Sequence, residues 1–289
     1  MAGALDHLQT DCKNCGNGYL ATSATCPHCG ERGAFPNVLL AEAEAAVLQD
    51  RYQNALQTAR EQGVEELFLL VKPQVEQEGR VCINRGFLEV LSWLKKGGAY
   101  SNYWREIDAG IRFPKINEWD RQREMVDSLF FPYFKQEINF AALSLSLEGL
   151  DYYGSCTLIL DEKLIAHRTT LFEENTILFS RKHGSLENGE VEAGYRATWQ
   201  DRGLLAAGKV VKNLVPSTAL KDLPALLMQP DPLKFGEDVF IEVHIYGQLT
   251  LKSIATISYS IPADSDDRKL MEVMEKWMRE KGVNHTVRR

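Results

Sequence analysis

The chain has 289 residues, 44% hydrophobic and 25% charged, with a net charge of −7 and a pI near 5.5. Such a composition suits one large globular domain, or a main domain with a small appendage, and supplies enough apolar material for a real core. The acidic balance argues against gripping nucleic acid through bulk charge. No stretch approaches the ~18 consecutive apolar residues of a membrane span. The start, MAGALDHLQTDCKNC, lacks the basic segment and apolar run of a secretion signal.

In chain order, the first feature is CKNC (Cys12, Cys15) followed by CPHCG (Cys26, Cys29). Each pair can present two thiolates from a tight turn, and four thiolates close a tetrahedral zinc site. Gly16 and Gly30 follow the pairs, where the chain reverses around a metal. Such a site leaves no open position for water, so a structural zinc ribbon over residues 1–35 is expected. His28 stands between two ligands and is expected to point outward. Around the ribbon, Lys13 and Arg32 are offset by Asp6, Asp11 and Glu31, so capping or protein contact fits better than phosphate binding. The two remaining cysteines, Cys82 and Cys156, stand alone in apolar runs, which fits a reducing, cytoplasmic setting.

Helical spacing from Val38 to Gln62 predicts a helix ended by Gly63, and a second over Glu65 to Glu78 is expected to be interrupted near Pro73. Together they suggest a helical connector over residues 36–79. RVCIN then reads as a strand and GFLEVLSWLKKGG as a helix stopped by paired glycines. FAALSLS, SCTLIL, TILFS, DVFIEVHIYG and SIATISYSI are β-type runs; Asn117 to Phe130 and Ala197 to Leu214 read as helices. In the tail, Asp264 to Lys281, apolar residues Leu270, Val273, Met274, Trp277 and Met278 form a stripe expected to dock on the domain. Strands and helices cluster without regular βαβ alternation, so the fold class is α+β, with residues 80–289 as the main domain.

DVFIEVHIYG alternates with a strand's period. Val239, Ile241, Val243 and Ile245 share one face, and Phe240, Glu242, His244 and Tyr246 the other. The phrases VCINRGFLEVLSWLKKGGAYSNYWREIDAG, RQREMVDSLF, FAALSLS, YYGSCTLILDEKLIAHRTTLFEENT and VFIEVHIYGQLTLKSIATI, in that order, cover roughly residues 80 to 262. They resemble a group of bacterial ADP-ribosyltransferase-like toxin domains. The resemblance implies a split β-sheet core that clamps NAD+ as co-substrate, and transfer of ADP-ribose to a macromolecular acceptor by an intracellular toxin or defence effector. An antitoxin or immunity protein is then a possible partner.

The resemblance makes Glu242 the carboxylate that stabilises the oxocarbenium-like ribose left when nicotinamide departs. Arg85 and Arg168 become candidates for the pyrophosphate, because guanidinium forms a rigid bidentate fork. Ser101 can support the glutamate, His244 shares its face, and Tyr100, Tyr103 or Tyr153 can stack on nicotinamide. The group's first motif has a histidine beside the arginine, where this chain has Asn84. DPLKFGED (Asp231 to Asp238) is where an acceptor-facing loop is expected. Two further readings stay open. Asp151, Asp161 and Lys163 imitate a metal-dependent nuclease layout, and a zinc-ribbon binding module without activity, such as an antitoxin or adaptor, fits the front of the chain.

Overall fold

A computed structural model describes residues 9–12, 14–20, 23, 25–31, 33–113, 118–229 and 238–288. Asp6, Lys13, Arg32, Asn117 and the segment 231–237 lie outside the described residues. The N-terminal hairpin pairs β1 (Gln9–Asp11) with β2 (Gly18–Leu20) and holds the four cysteines of the two pairs at one end. Then come α1 (Pro36–Glu61) and α2 (Glu65–Glu78), β3 (Arg80–Arg85), α3 (Phe87–Lys96), α4 (Tyr103–Asp108) and α5 (Glu118–Phe130). After β4 (Ile138–Ser144) and β5 (Cys156–Leu160) follow α6 (Glu162–Ile165), β6 (Thr169–Phe172), α7 (Thr176–His183) and α8 (Ser185–Asn188). The chain ends with β7 (Arg196–Thr198), α9 (Arg202–Val210), α10 (Leu223–Leu227), β8 (Glu242–Tyr246), β9 (Ile254–Ser260), α11 (Ser265–Lys281) and β10 (His285–Arg288). Among the described residues, no helix is long and apolar enough to cross a membrane.

Eight strands form one mixed sheet in the order β10-β9-β5-β3-β4-β8-β6-β7, antiparallel throughout except for β10 beside β9. The mixed α and β content agrees with the α+β reading. The ladder, however, is continuous across these strands, whereas the resemblance implied a split sheet.

Register sorts the side chains. Val81, Ile83, Ala141, Leu143, Leu158, Leu171, Val243, Ile245 and Ile257 occupy one face and pack with Phe68, Val71 and Val75 of α2, Leu205 of α9 and Met274 of α11. Helices α1 and α2, read from sequence as a connector, are therefore part of the layer that covers this face: α2 packs along α9, and α1 along β7 and α9. Asn37, near the start of α1, donates to the carbonyls of Arg168 and His244 and to Thr170 Oγ1, pinning that helix to the sheet. The tail docks as expected, through Met271, Met274 and Met278 of α11.

Three local predictions differ from the structure. Pro73 does not interrupt α2; it is exposed, so the carbonyl it leaves without an intrahelical donor faces solvent. TILFS opens α7 rather than forming a strand. Its β-type residues are overruled by caps: Asn175 Oδ1 accepts from the Ile177 and Leu178 N–H groups, and Gly184 ends the helix at φ +63°. The helix predicted from Ala197 begins only at Arg202, because Arg196–Thr198 pair with β6 as the edge strand β7.

Candidate functional site

The second face of the sheet carries Cys82, Ala142, Glu242 and Phe172 in one cross-strand row, with Phe140, His244 and Thr170 in the next. Helix α5 with Phe130, Phe131 just beyond it, and α7 with Ile177 and Phe179 cover one end of this face. Beside that apolar cover, the small side chains of Cys82 and Ala142 leave a depression, and Glu242 stands at its edge. The result is a cleft of about 360 Å³ lined by Asn84, Arg85, Tyr100, Tyr103, Arg123 and Glu242 among others. Its size falls in the range of small-molecule sites.

Glu242 is 4% exposed, so the face that alternation alone would leave wet is covered. One carboxylate oxygen accepts from the Thr176 N–H at 3.0 Å and lies 3.2 Å from His244 Nε2; the other accepts from Asn175 Nδ2 at 3.4 Å. The first turn of α7 thus orients this carboxylate, a favourable place for negative charge. His244 is fully buried against the rings of Phe131 and Phe140, and burial holds its pKa below the ordinary 6.5. It touches Glu242 from behind and does not line the cleft.

Of the other sequence candidates, Arg85, Tyr100, Tyr103 and Tyr153 also reach the cleft. Arg85 is largely engaged: it donates to the Asn84 carbonyl at 2.7 Å, lies 3.8 Å from Glu89 and sits over the Tyr100 ring. Tyr103 donates to Asp120 at 3.1 Å, and Tyr153 donates to Asp238 at 3.4 Å. Two candidates are not brought there. Arg168 ends the turn just before β6 and donates to the Tyr246 and Leu164 carbonyls; Ser101 is half-buried beside α4 and outside the lining.

Asn84, where the resembled group has histidine, serves the backbone. Its amide donates to the Glu148 carbonyl and Thr157 Oγ1 and accepts from the Leu150 N–H, anchoring the loop that carries Tyr153. Gly154 completes that anchor, since a Cβ there would sit 2.1 Å from the Arg85 carbonyl carbon.

The nuclease layout does not assemble. Asp151 precedes and Asp161 follows β5, whose five residues span roughly 16 Å. Asp161 is occupied capping α6, accepting from the Lys163 N–H at 3.0 Å. Among the described residues, the one group of three or more ligand-type side chains close enough to hold a metal ion is Cys12, Cys15, Cys26 and Cys29, within 4.8 Å of one another. The Sγ pairs at 3.4 Å (Cys12 and Cys29) and 3.7 Å (Cys15 and Cys26) are compatible with zinc, whose tetrahedral thiolates sit ~3.8 Å apart. Gly16 and Gly30 have φ of +69° and +76° and donate back to Cys12 and Cys26, as the turns require. His28 is exposed.

Sequence reasoning missed four residues. Asn175 and the Thr176 N–H position Glu242, a role visible only once TILFS is seen as a capped helix. Arg123 of α5 lines the cleft, and Asp127, one turn later, is 1% exposed and accepts from Trp104 Nε1 at 2.8 Å. A charged residue on an amphipathic helix gives no signal that it faces inward. No protein-family model matches the chain, and no curated protein sequence matches it.

Proposed function

We propose that the chain is an NAD+-dependent ADP-ribosyltransferase, acting as an intracellular toxin or defence effector on a macromolecular acceptor. The observation that carries the reading is Glu242: a carboxylate fixed by a helix start and a buried histidine, at the edge of a cleft walled by tyrosines and arginines. Loss of nicotinamide leaves positive charge on the ribose, and a carboxylate oriented in advance stabilises that charge without reorganising. Neutral His244 and the Thr176 N–H keep the carboxylate's direction, while the aromatic walls suit planar rings. The reading rests on these side chains and on the resemblance in sequence, not on the sheet's architecture.

Zinc completes the reading at the front of the chain. Cys12, Cys15, Cys26 and Cys29 would hold it, and it would supply folding energy to a short segment while leaving no coordination site for substrate.

The test is nicotinamide release from labelled NAD+ by the purified protein, with and without EDTA. Release that persists in EDTA and is lost in Glu242→Gln, with the fold intact by circular dichroism, is the expected result. Absence of NAD+ turnover by the wild-type chain, or full activity in Glu242→Gln, overturns the assignment.

A further inference from the structure

The cleft holds a cation whose contacts among the described residues are aromatic rings, with buried Asp127 one turn along α5 close enough to feel its charge. Arg123 is half-buried, with its guanidinium 4.9 Å from the centre of the Tyr103 ring and 5.3 Å from that of Phe140. Among the described residues it has no hydrogen bond and no carboxylate within 4 Å. Arg112 lies over the same Tyr103 ring at 4.6 Å, and its nearest carboxylate, Glu106, is 3.9 Å away. Both arginines line the cleft with Glu242.

Tyr103 is itself locked by its bond to Asp120, so the ring is a fixed platform for two guanidiniums. Cation–π attraction positions them but does not neutralise them. Glu106, also in the lining, offsets Arg112 in part, so the positive charge left at the ring calls for an anionic ligand. Arg85 contrasts with Arg123, since Glu89 and the Asn84 carbonyl already engage it.

We propose that Arg123, with Arg112 over the same tyrosine ring, is the anion-holding side of the cleft and takes the diphosphate of a nucleotide whose ring packs on the aromatic wall. This deepens the function proposed above and rests on the cleft being its substrate site. Guanidinium meets phosphate oxygens through paired N–H donors in a planar fork, so the match is geometric as well as electrostatic.

Calorimetric titration of ADP, adenosine and inorganic pyrophosphate into the full chain tests this, using wild type, Arg123→Gln, Arg123→Lys and Arg112→Gln. ADP is expected to bind more tightly than adenosine and to lose roughly tenfold to hundredfold in Arg123→Gln, the loss of a charge-assisted fork. A smaller loss is expected in Arg112→Gln and in Arg123→Lys, which keeps the charge without the fork. Equal affinity for ADP and adenosine, unchanged ADP affinity in Arg123→Gln, or no binding of any probe overturns the proposal. NAD+ turnover is scored separately on the same proteins. ADP binding that depends on Arg123 without NAD+ cleavage sinks the transferase reading and leaves this proposal standing. NAD+ cleavage with unchanged KM in Arg123→Gln does the reverse.

Discussion

Asp127→Asn should make the protein more stable, by an amount that grows from pH ~4 to about 7 and then levels off. Asp127 is 1% exposed, and burial pushes its carboxyl up from 3.8 to about 7, opposed by Arg123 and the Trp104 N–H and reinforced by Glu242. The folded state therefore prefers the protonated acid. Its contribution is present in full below pH ~4, where the unfolded chain is protonated too, and is lost progressively as pH rises from there to the folded value of about 7. The loss at pH 8 is about 4 kcal/mol, a large fraction of a typical folding free energy. Asparagine keeps the acceptor for Trp104 Nε1 and carries no charge to bury. Urea unfolding followed by far-ultraviolet circular dichroism at pH 4, 6 and 8 measures the difference. The variant should match wild type at pH 4 and gain roughly 1 M or more in midpoint by pH 8. A difference that stays flat across this range would refute the reasoning. It would mean that Asp127 is ionised in the fold, with Arg123 as its counter-ion, and would weaken the anion site as well.

Three further outcomes are expected. His244, held neutral by burial below its ordinary 6.5, contributes stability that is present above that value and lost on acidification. His244→Gln should flatten the unfolding profile below pH 6.5, and an unchanged acid limb counts against it. Gly154→Ala forces a Cβ onto the Arg85 backbone at φ +156°, so melting should show a loss of about 3 kcal/mol or more; a neutral result would mean that the loop carrying Tyr153 yields freely. Cys12→Ser should release bound metal, read with a chromogenic chelator, and strip hydrogen-exchange protection from the β1–β2 hairpin. The sheet should keep its protection, because Cys12, Tyr19 and Cys26 form a cluster apart from the sheet's core. Global unfolding would instead make the ribbon integral to the domain.

What the sequence determined by itself was local and periodic. Cysteine spacing gave the four-thiolate cluster, because ligand geometry around a metal is set by a few neighbouring residues. Alternation in IEVHIY gave the two faces of β8, and the apolar stripe of α11 gave its docking side. The same periodicity was misleading where caps outweighed composition, at TILFS, and where an edge strand of three residues preceded a helix, at Arg196–Thr198.

Only the tertiary structure decided which charges share a cleft. Arg85 and Arg168 are alike in sequence, yet one reaches the cleft and the other reaches back to main-chain carbonyls of its own surroundings. Arg123 and Asp127 read as the polar side of a helix until α5 closes over the sheet and turns them inward. Glu242 gains its fixed direction from Asn175 and Thr176, 66 or more residues earlier in the chain. Periodicity reports which side of an element is apolar. The partner brought opposite a polar residue depends on strand order and helix placement, which are long-range properties that no window of sequence contains.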